Sequence, residues 1–430
     1  MRIAIWHDLP SGGGKRALYE HVRGLVGRGH YVEAWCPTIA AADYLPLSDL
    51  IQEHRLALPV QQVPRSINGL ARPYRQVVDR LFQMDQHCRE CAAQIEAGGF
   101  DLLFANACQW FRVTSIGRHV SLPSVLYLQE PYRNLYEALP RLPWLALPER
   151  QGHWTLDELT LRLRDAAQNY GLRIQARDER DNAAAFDTIL ANSFFSRESI
   201  LRAYGLDAKV CYLGIDTDTF VRRDVSTENE IVGLGAFVPE KNIEFCIRAV
   251  SMVAPPRPRL IWIGNAANLP YLESLRRLAD EREVIFEPRV RIPDDELVSA
   301  LSRAFVFVYA ARLEPFGLAP LEAGACRLPV IAVAEGGVRE TVFDEVNGLL
   351  VENDPGAMAA AIERLRDEPA FARELGATGQ RLVYERWSAA SATDRLERRL
   401  IETFERRSTG HRQNARTLSP EITATAARAD

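Results

Sequence analysis

Short apolar runs alternate with longer stretches whose apolar positions recur at helical spacing. In the first half of the chain, the runs Arg2–His7, Tyr31–Cys36, Asp101–Ala105, Ser124–Leu128, Asp187–Ala191 and Lys209–Leu213 predict strands. In the second half, Glu230–Ala236, Arg259–Gly264, Glu283–Glu287, Ala304–Tyr309, Pro329–Val333 and Gly348–Val351 do the same. Most are nearly continuous Val, Ile, Leu and Phe. Strands covered by helices on both faces have this composition, so the sheets are expected to be parallel. Two sets of roughly six strands imply two doubly wound α/β domains facing across a cleft.

The polar stretch Gly214–Asn229 separates the two sets. The expected division is an N-terminal domain over 1–215, a C-terminal domain over 216–388, and a helix over 389–407 that packs back on the first domain. Two segments interrupt the alternation. Residues 40–100 hold a Pro-punctuated stretch followed by a helical pattern, and residues 132–183 are rich in Arg, Leu, Glu and Trp. Both read as insertions that the sheet does not need. They either shape an acceptor pocket or serve only as structure. Residues 408–430 are polar, small and aperiodic, and are expected to be disordered.

The chain has 430 residues, 47% hydrophobic and 25% charged, with a formal charge of -5. That balance builds real cores and gives no bulk attraction to nucleic acid. No apolar run approaches the roughly 20 residues of a membrane span. Met1–His7 reads as a strand and not as a signal peptide. Seven scattered Cys fit reduced thiols and a cytoplasmic location. Cys88 and Cys91 form a C-x-x-C in a helical stretch with no second pair, so a metal or redox role is not expected.

In open α/β sheets, ligands bind beyond the carboxyl ends of the strands, where helix N-termini attract phosphate. One strand-to-helix turn stands out: Glu314-Pro315-Phe316-Gly317-Leu318, running on to Glu322. Pro315 suits a first helical turn, and Gly317 permits close backbone approach. The N–H groups of Gly317 and Leu318 are candidates to cradle a diphosphate. Glu314 at the helix mouth is placed to reach a sugar. Glu322, two turns deeper, is placed to hold a ribose through charge-assisted hydrogen bonds.

The segment Val306–Leu350 resembles the signature of glycosyltransferase family 4, retaining enzymes with the two-domain GT-B fold. The matching residues are Glu314-Pro315-Phe316-Gly317-Leu318, Glu322-Ala323, Leu328-Pro329-Val330-Ile331, Gly336-Gly337, Glu340 and Asn347-Gly348-Leu349. Other pieces agree in order: Gly12-Gly13-Gly14, Asn192-Ser193 with Ser196, Leu213-Gly214-Ile215-Asp216 with Phe220, and Val238-Pro239-Glu240-Lys241-Asn242. The resemblance covers most of 1–385 and is weakest in the two insertions. It implies transfer of a hexosyl group from a nucleotide diphosphate sugar, such as a UDP- or GDP-sugar, to a hydroxyl acceptor with retained configuration. Glu314 and Lys241 would be catalytic. Glu322, Phe316, Gly317, Leu318, Gly12 and Gly13 would bind the donor, and Arg289 and Val290, after the predicted strand Glu283–Glu287, would lie beside the nucleobase. No metal or other cofactor is implied. The acceptor would be a carbohydrate, a lipid-linked molecule or a small molecule, as in polysaccharide or glycolipid synthesis. Arg65, Arg72, Arg75 and Arg80 lie near Leu70, Tyr74 and Phe82, a pattern compatible with contact at the inner membrane face and also with an ordinary surface helix.

Three positions depart from the family pattern. Ala236 stands where an Arg often precedes the turn Lys, Gln129 where a His is common, and Arg327 where a Gly is common. Arg16 or Arg312 are candidates to replace the missing cation. His7, Lys15, Arg16 and Gln129 are further candidates at the cleft, and His7, at the end of the first predicted strand, also reads as an ordinary packed or solvated histidine. The departures at Ala236 and Gln129 favour an alternative, a nucleotide-sugar-binding scaffold subunit without turnover. An epimerase or phosphorylase of the same architecture is a third reading, and no Lys-bound cofactor motif supports the phosphorylase.

Overall fold

A computed structural model describes residues 1–58, 72–137, 142, 144–147 and 155–409. Arg65, Leu70 and the tail from 410 onward lie outside the described residues. The first sheet contains β1 (Arg2–Asp8), β2 (Tyr31–Pro37), β3 (Gln52–Leu56), β4 (Leu102–Cys108), β5 (Ser124–Gln129), β6 (Thr188–Ala191) and β7 (Lys209–Val210). The second contains β8 (Glu230–Leu234), β9 (Arg259–Gly264), β10 (Phe286–Val290), β11 (Val306–Tyr309), β12 (Val330–Val333) and β13 (Gly348–Val351). The strand orders are β3-β2-β1-β4-β5-β6-β7 and β10-β9-β8-β11-β12-β13, with parallel pairing throughout.

The helices of the first half are α1 (Gly13–Gly27), α2 (Arg72–Ala97), α3 (Ile116–His119), α4 (Arg133–Tyr136), α5 (Leu156–Ala183) and α6 (Phe194–Tyr204). Those of the second half are α7 (Ile243–Met252), α8 (Leu269–Glu281), α9 (Asp294–Arg303), α10 (Leu318–Ala325), α11 (Pro355–Asp367), α12 (Pro369–Arg386) and α13 (Ala389–Ser408). Local chemistry sets several boundaries. Thr155 and Glu158 form a reciprocal capping box at α5. Asn268, Asp354 and Ser388 each cap a helix through the side chain. Gly205, left-handed, ends α6.

The sequence expectation is corrected at three elements. Residues 40–100 are not wholly an insertion, because β3 within them extends the first sheet. Its residues Gln52-Glu53-His54-Arg55 are polar, which an edge strand tolerates. The strand expected at Glu283–Glu287 begins at Phe286 instead, after Glu283 takes a left-handed φ of 54°. Pro288 sits inside β10, again an edge strand, where a missing N–H is tolerated. Arg289 and Val290 therefore belong to the strand and not to a loop after it. The run Lys209–Leu213 shortens to Lys209–Val210.

The chain crosses between the sheets twice. It leaves β7 and enters β8 through residues 211–229, and it returns from α12 to α13 at Trp387 and Ser388. The crossings touch: Ile215 N donates to Trp387 O at 2.9 Å and Ala389 N donates to Ile215 O at 2.7 Å. Helix α13 then packs on α1, and Arg406 and Arg407 bond to Asp187.

Candidate functional site

Strand order locates the cleft floor. In the first sheet the order reverses at β1, between β2 and β4, and in the second at β8, between β9 and β11. Crevices open at the carboxyl ends of strands at such reversals. The chain segments that leave these ends carry Gly12–Gly14 after β1, Lys241 after β8, and Glu314 after β11.

On the second domain, Lys241 Nζ donates to Glu314 Oε2 at 2.7 Å and approaches Tyr309 Oη at 3.4 Å. Burial alone would raise the Glu314 pKa. The charge and hydrogen bond of Lys241, with Arg133 and Tyr309 adding to them, outweigh burial and hold it below the usual value. Glu322 behaves oppositely. It is 6% exposed, and burial raises its pKa although Arg16 pulls the other way. Two carboxylates in one cleft are thus driven apart, one firmly ionised and one more easily protonated. Gly317 has φ 92° and starts α10 with no side-chain cap, so the first N–H groups of this helix point outward without a side-chain acceptor.

The N-terminal domain meets this site directly. A carbon added at Gly13 would lie 3.2 Å from Cδ1 of Leu318, and one at Gly12 would lie 3.4 Å from Nδ2 of Asn265. Asn265 Nδ2 donates to Ser11 O at 2.8 Å. Arg16 reaches across to Asp294 with hydrogen bonds of 2.7 and 2.9 Å, and its Nε lies 3.9 Å from Glu322 Oε1. Gln129 takes a left-handed φ of 66° where β5 shifts register. Its side chain lies 3.5 Å from the position of a carbon added at Gly14. The structure therefore groups Gly12, Gly13, Arg16, Gln129, Lys241, Glu314, Gly317, Leu318 and Glu322 around one cleft, with Phe316 buried beneath.

Other expectations are corrected. Pro315 precedes α10 and is not in its first turn, because the left-handed Gly317 redirects the chain before the helix begins. For His7 the packed reading holds: it is fully buried and its Nε2 lies 3.0 Å from Glu53 Oε1. Lys15 is also fully buried. Its pKa is lowered by burial, with Glu53 and Cys36 opposing, so it lies beside β2 and β3. Arg289 turns to Glu287 of its own strand, Nε to Oε1 at 2.7 Å. Arg312 offers its carbonyl, which accepts from Arg133 Nη2 at 2.7 Å.

Several cleft residues escaped the sequence reading. Glu130 accepts from Arg112 at 2.8 Å, and Arg133 lies 3.7 Å from it. Burial raises the Glu130 pKa against the pull of both arginines. Asn265 and Asp294 complete the contacts across the cleft. Their only sequence signal was position after a strand end, shared with many ordinary loop residues.

Three further features lie outside the cleft. His7, Cys36 and Glu53 bring possible ligand atoms within 4.8 Å of one another. Lys15 and Arg55 share that chamber, so two positive charges oppose a metal cation there. Cys88 and Cys91 are buried and free, and burial pushes the Cys88 thiol up to about 12. Between α2 and α5 lies a cavity of about 480 Å³, lined by Tyr74, Phe82, Asp85, Arg118, Ile174 and Arg177 among others. No helix among the described residues is long and apolar enough to cross a membrane.

Residues 215–382 match the family described as Glycosyl transferases group 1. Alpha-maltose-1-phosphate synthase of Mycolicibacterium smegmatis is 30% identical over 51% of this chain and 64% of its own length. The GDP-mannose-dependent alpha-(1-6)-phosphatidylinositol monomannoside mannosyltransferase of the same organism is 30% identical over 49% of this chain and 61% of its own length. The chain thus spans less than two thirds of the length of either relative. Sucrose-phosphate synthase of Thermosynechococcus elongatus superposes with a TM-score of 0.70 at 20% identity, covering 94% of this chain and 99% of that one. The chain therefore has the GT-B fold, and its C-terminal half is similar to the glycosyl transferases of group 1.

Proposed function

We propose that this protein is a retaining glycosyltransferase of family 4 that moves a hexosyl group from a UDP- or GDP-sugar to a hydroxyl acceptor. The pairing of Lys241 with Glu314 at 2.7 Å, at the second sheet's reversal point and beside the open start of α10, carries the proposal. A glycosyl transition state is oxocarbenium-like and its diphosphate leaves with negative charge. Lys241 and the N–H groups of Gly317 and Leu318 would stabilise that charge, with no metal required. Glu314 would contact the donor sugar near its reacting carbon. Glu322 would hold the ribose hydroxyls, and Gly12 and Gly13 would let the N-terminal backbone close over the donor. The acceptor oxygen bonds to the sugar carbon as the carbon–phosphate-oxygen bond breaks. The departing phosphate oxygen takes the acceptor's proton, so attack and departure share one face.

A GDP-mannose-dependent relative acting on a phosphatidylinositol mannoside supports a nucleotide-sugar donor and a glycolipid or polysaccharide product. The scaffold alternative is not favoured, since Lys241, Glu314 and Glu322 stand together despite Ala236 and Gln129. The test is a thermal-shift screen with UDP, GDP and ADP, followed by donor hydrolysis with the matching nucleotide sugars. A cognate nucleotide should raise Tm by mass action, and its sugar should be turned over. If none of the three nucleotides moves Tm, the nucleotide-sugar assignment fails. If one binds but no matching sugar is turned over with or without acceptor pools, a scaffold subunit is indicated instead.

A further inference from the structure

The donor turn belongs to the second sheet's domain, yet its geometry is set from both domains. Within its own domain, Gly337 N donates to Glu314 O at 2.7 Å and Leu313 N donates to Glu335 Oε1 at 3.2 Å. The approach is close enough that a carbon added at Gly337 would lie 2.1 Å from Pro315 O. From the other domain, the α6 cap comes in. Ser193 Oγ donates to Pro315 O at 2.5 Å, and Ser196 Oγ lies 3.3 Å from the same oxygen. The ring of Tyr212 packs on Phe316 with centroids 5.8 Å apart.

A reciprocal contact runs the other way. Glu340 accepts from Phe194 N and Phe195 N, both at 2.9 Å, and from Tyr212 Oη at 2.8 Å. A carboxylate on the first N–H groups of a helix satisfies orphan donors and complements the helix dipole. Ser193 caps the same helix internally, accepting from Ser196 N at 2.9 Å. Ser193 is fully buried, so its hydroxyl has few alternative partners. The Pro315 carbonyl is therefore pinned by a helix that is itself pinned by the domain carrying Pro315.

We propose that Ser193 and Glu340 are positioning residues for the donor site: through the α6 cap they set the turn Glu314–Gly317, so that nucleotide affinity depends on residues that do not touch the nucleotide. This rests on the donor assignment above. A purely structural clamp would lower stability and leave affinity unchanged.

The test uses the full chain with Ser193→Ala and the near-isosteric Glu340→Gln, and Tyr212→Phe as a milder variant that removes only one Glu340 partner. The first measurement needs no ligand. Amide hydrogen exchange over residues 312–320 should speed up about tenfold in the first two variants, as expected for one lost strong hydrogen bond. Exchange over Arg259–Gly264 should not change. The second measurement is calorimetry with UDP, GDP and ADP, where the nucleotide that binds wild type should bind the same variants about tenfold more weakly. Unchanged exchange in both variants overturns the positioning role, whatever binds. Faster exchange with unchanged affinity overturns it too. If wild-type protein binds none of the three, the donor assignment fails separately, and exchange still decides whether α6 holds the turn. Should Ser193→Ala or Glu340→Gln not fold, Tyr212→Phe carries both measurements, with smaller changes expected in the same directions.

Discussion

Replacing Glu322 by Gln should weaken nucleotide binding without weakening the fold. Glu322 is 6% exposed, and the nearest cation, Arg16 Nε, is 3.9 Å away. Arg16 is committed to Asp294 through two shorter bonds. The carboxylate is therefore buried with incomplete compensation, and burial raises its pKa. A group whose folded pKa lies above its unfolded value favours folding most when protonated. Its contribution is full below the unfolded pKa and is lost as pH rises through the folded pKa. At pH 7 the Glu322 charge works against folding. Gln keeps the shape and removes the charge, so the nucleotide-free variant should be at least as stable as wild type, with the difference growing as pH rises past about 4.3. Binding should move the other way. Two hydroxyl bonds to a carboxylate become two bonds to a neutral amide, and charged hydrogen bonds exceed neutral ones by about 1 kcal/mol each. The loss is about 2 kcal/mol, or roughly thirtyfold in Kd. Calorimetry with the cognate nucleoside diphosphate measures the affinity, and scanning calorimetry from pH 4 to pH 8 measures the stability. A Kd within twofold of wild type, or a clear fall in Tm at pH 7, would refute the ribose role or the electrostatic account respectively.

Lys241→Ala should lower turnover by about 10²–10³-fold, as loss of one preorganised charge at a leaving group does; near-wild-type turnover would remove Lys241 from the site. Because the Glu314 pKa is held low, the stability that this pair contributes is present at neutral pH and lost as pH falls through the folded Glu314 pKa. The Tm gap between wild type and Lys241→Ala should accordingly be widest near pH 7 and close in acid. Gly337→Ala forces a carbon within 2.1 Å of Pro315 O and should cost about 2–3 kcal/mol in urea unfolding. Prolonged dialysis against EDTA should leave turnover unchanged, whereas activity restored only by added metal would contradict charge stabilisation by Lys241 and backbone amides alone.

The parallel strands were legible because helices cover both faces and leave uninterrupted apolar runs, as in β11 and β12. The edge strands were not. Nothing in Gln52-Glu53-His54-Arg55 distinguishes a polar edge strand from a loop, and Pro288 argues against a strand unless its edge position is known. At the proposed site, the grouping of Glu314, Glu322, Lys241 and the glycines was legible because residue type and local spacing place them at the strand-to-helix turns. Lys15 was not, since a charged residue beside a glycine turn reads as exposed until long-range packing encloses it, whereas a packed His7 was among the readings the sequence offered. Asp294 and Asn265 act through contacts formed only when distant segments meet: Arg16 and Asp294 are 278 residues apart, and Asn265 and Ser11 are 254 apart.

The two adjoining crossings between the sheets bear on how the halves can move. Ile215 bonds on both sides to the returning segment, at Trp387 and Ala389, and a carbon added at Gly214 would sit 2.4 Å from Ser388 O. A single tether would swivel freely, but two strips laced side by side bend about a line and resist torsion. The cleft should then open and shut like a book on a bound spine, returning Gly13 to the same spot over Leu318 each time. Cutting the chain ahead of α13 would leave one strip and release that alignment, even with every cleft residue intact.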